Sequence, residues 1–306
     1  MNVPTLAGIL PPFPTPIKTD GSVDEAALKK LVEHLIQAGC SGLVPIGGTG
    51  EYTALSPADR EHVVAITVEV SAGRVPVVAG MVSPGFAESV QAGKAFKAHG
   101  ADALLTITPF YVTPSQQGIR EYFRAYREAV DLPIVFYDIP YRTRIVTEAA
   151  TIAEMEQDGS IFGMKACNTD MAHFNEIAAS TSPGFQLLAG EDMLFPAQMA
   201  LGARGGILAS APLIPEYWVT LYQALKDGHI QAAIDAQREL LPLLKALFAE
   251  ANPGPLKAAM KWMGHDCGEV LAPLQPPSPT TLERLSSALV VLERKGLIPS
   301  GSVLAH

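Results

Sequence analysis

Cysteine is scarce in this chain: its 306 residues include three, Cys40, Cys167 and Cys267, too widely spaced and too odd in number for a disulfide framework or a CxxC metal site. A reducing cytoplasm is therefore the expected setting. Charge is sparse as well, at 17% of residues, and its balance is negative, with 22 Lys and Arg against 31 Asp and Glu for a formal net charge of -9. Without a basic run to grip a phosphate backbone, nucleic acid is not an expected partner. No uninterrupted apolar run reaches the roughly 18 residues of a membrane span, and the opening MNVPTLAGILPPFPTP has no basic stretch ahead of an apolar core, so neither membrane insertion nor export is expected. The histidines show no H-x-x-x-H or H-x-H spacing, and no metal site is expected. A G-K-[ST] phosphate loop and a G-x-S-x-G nucleophile elbow are also missing, which removes nucleotide hydrolysis and serine-esterase chemistry from the reading.

What the chain does carry is apolar length: 48% of its residues are hydrophobic, enough for two ordinary domains or one large α/β barrel. Eight short apolar runs alternate with longer amphipathic ones: GILPPF (8–13), GLVPIG (42–47), VPVVAGM (75–81), ALLTITP (103–109), PIVFYDI (133–139), IFGMKA (161–166), FQLLAG (185–190) and GGILAS (205–210). The first intervening run, VDEAALKKLVEHLIQAG, puts Leu28, Leu31, Val32, Leu35 and Ile36 on one helical face, with Asp20 and Ser22 offered as caps and Gly39 as its stop. SPADREHVVAITVEVSAG repeats the scheme, with Ser56 as N-cap, Pro57 at the first helical position and Gly73 at the end. Eight strand-and-helix units with nearly continuous apolar strands predict an α/β fold, a closed (β/α)8 TIM barrel, over residues 1–229. An open doubly wound sheet is the alternative, but the first run leads into PPFPTP where its glycine turn belongs. Beyond the turn KDGH no further strands are expected, and residues 230–306 read as a C-terminal helical segment with the proline-rich LAPLQPPSPTT as an internal connector.

In such a barrel the chemistry sits at the carboxyl ends of the strands. After the second run, GGTGE supplies Gly47, Gly48 and Gly50, which allow tight backbone turns with amides presented outward, and the hydroxyl of Thr49; this suits a carboxylate or phosphate, or is an ordinary glycine-rich turn. Alternation along PIVFYDI turns Tyr137 into the barrel, either as a phenol at the mouth or as packing, and Arg142 beyond it is an anion anchor or a solvated loop residue. The same alternation places Ile161, Gly163 and Lys165 on one inward face, with Gly163 leaving room for the lysine stem. Desolvation there favours the neutral amine that attacks a carbonyl; the competing reading pairs Lys165 with a barrel carboxylate such as Glu51 or Asp192. Cys167, two residues on, reads as a small packed residue.

Taken together, GGTGE (47–51), YDIPYRT (137–143), GMKACNTD (163–170), LLAGED (187–192) and NPGPLKAAMKWMG (252–264) resemble the dihydrodipicolinate synthase and N-acetylneuraminate lyase family of Schiff-base aldolases and lyases, over essentially the whole chain. The resemblance implies a (β/α)8 barrel with a C-terminal helical region, usually a homotetramer, in which a lysine forms an imine with pyruvate or another 2-keto acid and no separate cofactor is needed. By position Lys165 is the implied imine-forming residue and Tyr137 its proton-transfer group. Thr49 with the loop amides would hold the keto-acid carboxylate, and the backbone around Gly190 and Ile207 would line the pocket. Arg142 matches the arginine that receives the carboxylate of the aldehyde partner, and Tyr111 the tyrosine lent across a tight dimer interface. The chain departs from the synthases at Gly48, where they carry a relay threonine, and at Pro57 and Arg60, where lysine-inhibited members carry histidines. Asp138 stands where the synthases often have asparagine.

The leading expectation is thus a lysine-imine lyase or synthase acting on a 2-keto acid and an aldehyde, synthase-like because of Arg142 and Tyr111. A 2-keto-3-deoxy sugar-acid aldolase or dehydratase is the alternative because of Gly48, and a non-catalytic barrel that binds a keto acid is the alternative of another class.

Overall fold

The computed structural model describes residues 3–299, so the first two residues of the expected barrel and the last of the expected C-terminal segment, 300–306, lie outside the described residues. Seven of the eight apolar runs form parallel strands: β1 (Gly8–Ile9), β2 (Val78–Met81), β3 (Ala103–Ile107), β4 (Ile134–Asp138), β5 (Gly163–Ala166), β6 (Gln186–Ala189) and β7 (Gly205–Gly206), ordered β1-β7-β6-β5-β4-β3-β2. That order leaves β1 and β2 as edges, and the remaining run, 42–47, lies between them. Val44 bridges Pro12 on one side and Leu43 bridges Val77 on the other, both parallel. The Leu43 amide donates to Pro76 O at 2.9 Å and the Val44 amide to Pro11 O at 3.1 Å, while Gly80 N donates to Pro45 O at 3.0 Å. Pro11, Pro12, Pro45 and Pro76 have no amide hydrogen to return, so this eighth element is held by separate bridges and not by a continuous ladder. The barrel nevertheless closes as expected.

Twelve α-helices are present among the described residues. Nine belong to the strand repeats: α1 (Glu25–Gln37), α2 (Pro57–Ser71), α3 (Phe86–Ala98), α4 (Gln116–Val130), α5 (Pro140–Thr143), α6 (Ala149–Gln157), α7 (Met171–Ser180), α8 (Phe195–Ala200) and α9 (Pro215–Lys226). The α1 face buries Leu28, Leu31, Val32 and Leu35, but its cap is Asp24, which accepts from Ala27 N, whereas the expected caps Asp20 and Ser22 bond to each other one turn earlier. Ser56 caps α2 as expected. None of the helices is long and apolar enough to cross a membrane.

Strand side chains divide as the period of two requires. Val44, Val78, Leu105, Val135, Leu188 and Ile207 fill the barrel interior, while Leu104, Ile134, Phe136, Met164 and Leu187 face the surrounding helices. The alternation fails at Ile161. Ile161 joins the outer cluster, and a Cβ on Gly163 would stand 2.7 Å from the Cβ and carbonyl of Gln186 on the next strand, so this glycine makes room for β6 and not for the lysine stem. After residue 229 come α10 (Ile230–Leu247), α11 (Gly254–Trp262) and α12 (Pro279–Arg294). Leu240, Leu244, Leu256 and Leu285 from these helices share one apolar cluster with Trp218 and Phe195 of the barrel.

Asp138 faces outward from the end of β4, fully buried, and neither carboxylate oxygen has a hydrogen-bond partner. Burial raises its carboxyl from 3.8 to about 7. The folded chain therefore keeps a proton that the unfolded chain releases, so the stabilisation is complete below about pH 4 and is lost as pH rises through 7. Asp138→Asn, which restores the residue common in the resembled synthases, should remove this dependence. Chemical denaturation at pH 5 and pH 8 is expected to show the parent losing roughly 2–3 kcal/mol more than the variant.

Candidate active site

The carboxyl ends of the strands open into a cavity of about 290 Å³ lined by Thr49, Tyr137, Arg142, Lys165, Gly190 and Asn252 among others. A larger groove, about 610 Å³, runs between α10 and α12 over Leu243, Ala246, Ala288 and Val291, with a mostly apolar floor and none of these groups in its lining. Lys165 is 5% exposed, and its Nζ stands 4.6 Å from the centroid of the Tyr137 ring. The register explains the meeting, because Tyr137 on β4 pairs directly with Lys165 on β5.

Neither carboxylate offered as a partner for Lys165 takes that part. Glu51 pairs with Lys257 at 2.7 Å, both side chains almost fully buried, and also accepts from the Leu271 amide. Asp192 accepts from Ser210 Oγ at 2.5 Å, Ser210 N at 2.8 Å and Ala209 N at 3.2 Å. Among the described residues Lys165 is in no ion pair within 4.0 Å. An amine so placed meets the general requirement for a nucleophile: access to the cavity without a counter-ion tying it down. Burial holds the Tyr137 phenol well above its usual range, with the Arg142 charge opposing that rise. Burial likewise pushes the Cys167 thiol up to about 12, and its Sγ donates to Gly190 O at 3.2 Å, which fits a packed residue.

The loop after the closing segment is shaped by left-handed backbone at Ile46 and Glu51, φ 50° and 58°. Its Thr49 is 5% exposed, and its Oγ1 accepts from Asn252 Nδ2 at 2.9 Å, leaving the hydroxyl hydrogen free to turn toward the cavity. Gly48 lines the same cavity, and a Cβ built on it would meet nothing within 4 Å. Gly190 cannot carry a side chain, since its Cβ would collide with Cys167 Sγ and lie 2.7 Å from Ala166 O.

Residues 5–291 match the sequence profile of the dihydrodipicolinate synthetase family. The chain belongs to this family. A 4-hydroxy-tetrahydrodipicolinate synthase of Hyphomonas neptunium is 37% identical over 286 residues, 93% of this chain and 97% of that one. A solved dihydrodipicolinate synthase from Acinetobacter baumannii, complexed with pyruvate, superposes with a TM-score of 0.91 at 31% identity over 96% of this chain and all of its own. A monomeric dihydrodipicolinate synthase variant matches with a TM-score of 0.91 at 30% identity, covering 96% of this chain and 98% of that one.

Within the family frame, the sequence-derived residues fall in three places. Gly48, Thr49, Tyr137, Arg142, Lys165 and Gly190 line the one cavity. Ile207 lies beneath it in the barrel interior, its amide donating to Ala189 O at 2.9 Å, and the wall above it is Ala209. Tyr111 is 97% exposed, outside the cavity, at φ 76°. Among the residues that line the cavity without an assigned role in the sequence reading are Asn252 and Glu191. Both stood inside quoted motifs, NPGPLKAAMKWMG and LLAGED, where a polar residue beside a strand end or a helix start was the available signal.

Proposed function

We propose that this chain is a lysine-imine lyase of the dihydrodipicolinate synthase type, condensing pyruvate or a related 2-keto acid with an aldehyde. The observation that carries the reading is Lys165: buried, free of any ion pair among the described residues, facing the cavity and standing against the Tyr137 ring at 4.6 Å. The amine attacks the keto carbon, Tyr137 moves the proton from nitrogen to oxygen, and the imine that follows is the electron sink, so no separate cofactor is needed. Thr49 and the loop amides hold the keto-acid carboxylate, the backbone at Gly190 and Ile207 forms the floor, and Arg142 receives the anionic end of the aldehyde. The exposed pair Tyr111 and Val112, 97% and 74% accessible, supports docking of a second copy at this edge and a homotetramer built from such dimers. The three free cysteines fit a reducing cytoplasm.

A sugar-acid aldolase or dehydratase is the second reading. It is favoured by the open space at Gly48, where a Cβ would meet nothing within 4 Å.

Incubation with pyruvate and borohydride tests the core of the proposal: a mass increase located at Lys165 is expected. Recovery of unmodified Lys165 under saturating pyruvate would instead support a barrel that binds keto acids reversibly.

Asn252 is the positioning group for Thr49. Asn252→Ala removes one hydrogen bond to a hydroxyl, worth about 1 kcal/mol, and frees Thr49 to rotate. The KM for the keto acid is expected to rise roughly 5- to 10-fold with kcat little changed, in a steady-state assay at fixed aldehyde.

A further inference from the structure

The strand-end cavity does not stop at the glycine-rich loop. A second cavity, about 180 Å³, lies beside it, and Gly48, Tyr137, Arg142 and Asn252 line both. Where two cavities share a wall, the shared residue of least bulk decides whether one ligand can occupy both. Here it is Gly48. A Cβ built on it would meet nothing within 4 Å, so the volume that a side chain would claim stays open.

The two spaces differ in chemistry. The first holds Lys165 among Glu191, Asp192 and Glu250. The second is walled by Ala54, Val82, Ile107, Leu271, Pro273 and Leu274. Its polar neighbours are already engaged: the Glu51 carboxylate pairs with Lys257 and accepts from the Leu271 amide, and the Tyr52 hydroxyl donates to Met81 Sδ at 3.2 Å. Asn252 on the shared wall is committed to Thr49. That leaves Arg142, on the same wall, as the charged group to meet a ligand that reaches into both.

Size and polarity together define the ligand. An apolar cavity of roughly 150 Å³ accepts a benzene ring. About 180 Å³ therefore suits one aryl ring or a branched alkyl group of similar bulk. A polyhydroxylated chain placed there would give up its hydration and find its hydroxyls largely unpaired.

We propose that this side cavity selects the acceptor, and that the aldehyde joined to the keto acid carries an aryl or branched alkyl group seated past Gly48; the proposal rests on the lysine-imine reading above. The aldehyde carbon stays with Lys165 in the first cavity, where the covalent steps are unchanged. Arg142 receives a polar or anionic substituent of the same acceptor, and the apolar remainder is withdrawn from water. In the cleavage direction the same subsite selects 4-hydroxy-2-keto acids whose substituent at C4 is apolar. Thr53 and Pro273 are exposed, which opens the far side to solvent and lets a longer substituent continue outward.

Position 48 can be tested directly, because its backbone is not left-handed and an added Cβ meets no neighbouring atom. With pyruvate saturating, kcat/KM is measured for phenylacetaldehyde, 3-methylbutanal, acetaldehyde and glyceraldehyde in the parent, Gly48→Val and Leu274→Trp. Borohydride trapping with pyruvate runs in parallel. In the parent, the two bulky apolar aldehydes are expected to exceed acetaldehyde and glyceraldehyde by about 10-fold or more, the scale of preference that a hydrophobic pocket gives. Gly48→Val narrows the way in and Leu274→Trp fills the far wall, so each should lower that ratio about 10-fold while the Lys165 adduct still forms. The ratio is the readout, since Gly48 also lines the first cavity and a general loss of rate cancels. A parent that forms the adduct but shows no preference for the apolar aldehydes would overturn the subsite alone, as would an unchanged ratio in an adduct-forming variant. Absence of an adduct in the parent would overturn the lysine-imine reading and this inference with it.

Discussion

Lys165→Ala is expected to leave no borohydride-trapped adduct, to lower turnover by about 10³-fold or more, and yet to melt higher than the parent. The first two effects follow from removal of the only proposed nucleophile, whose loss a surrounding machinery cannot replace. The third follows from its setting. Lys165 is 5% exposed and has no ion-pair partner within 4.0 Å among the described residues, so the folded state bears the cost of an amine withdrawn from water with no carboxylate in contact to offset it. Truncation opens onto the existing cavity and leaves no sealed void, so little packing is lost. A rise of roughly 2–4 °C by calorimetry is expected, the size of about 1 kcal/mol in a chain of this length. A lowered melting temperature would mean that the lysine stem is a packing element and that its placement has another cause.

Lys257→Met should act in the opposite sense. Lys257 and Glu51 form an ion pair at 2.7 Å with side chains 3% and 1% accessible, and Lys257 Nζ also donates to Glu269 O at 2.9 Å. Removing the cation alone strands the Glu51 carboxylate in a dry site, at a cost of about 3–5 kcal/mol. A fall of roughly 5–10 °C in melting temperature is expected. Glu51 also anchors the loop that carries Thr49, so the keto-acid KM should rise as well. Adding Glu51→Gln keeps an acceptor for the Leu271 amide while abolishing the stranded charge, and this double variant is expected to recover more than half of the loss. A single variant as stable as the parent would show that water reaches Glu51 and that the pair is not dry.

The two pairs of residues show what a sequence can and cannot disclose. Strand repeats are written locally: alternating apolar runs and capped amphipathic helices make β3, β4 and α2 legible from about ten to twenty residues each, and Lys165 and Tyr137 came with them because both sit at strand ends. The closing segment at 42–47 was legible as a strand, but its prolines, which break the ladder, show their effect only once the neighbouring strands are in place. Gly163 was misread for the same reason, since the crowding atom belongs to Gln186 on another strand. The partners of Glu51 and Thr49 lie on Lys257 and Asn252, separated by some two hundred residues, and no periodicity records a contact of that range. The helix cap moved from Asp20 or Ser22 to Asp24 because several capping residues stand in a row and only the backbone chooses among them.

The bond from Asn252 to Thr49 also bears on synthesis. A nascent chain released by the ribosome up to residue 229 already holds every strand, Lys165 and Tyr137, and has the means to begin closing its barrel. It does not yet hold the amide that orients Thr49 or the ammonium that neutralises Glu51. The bond that fixes the Thr49 hydroxyl and the charge that offsets Glu51 therefore arrive only when the final quarter of the polypeptide has emerged and docked.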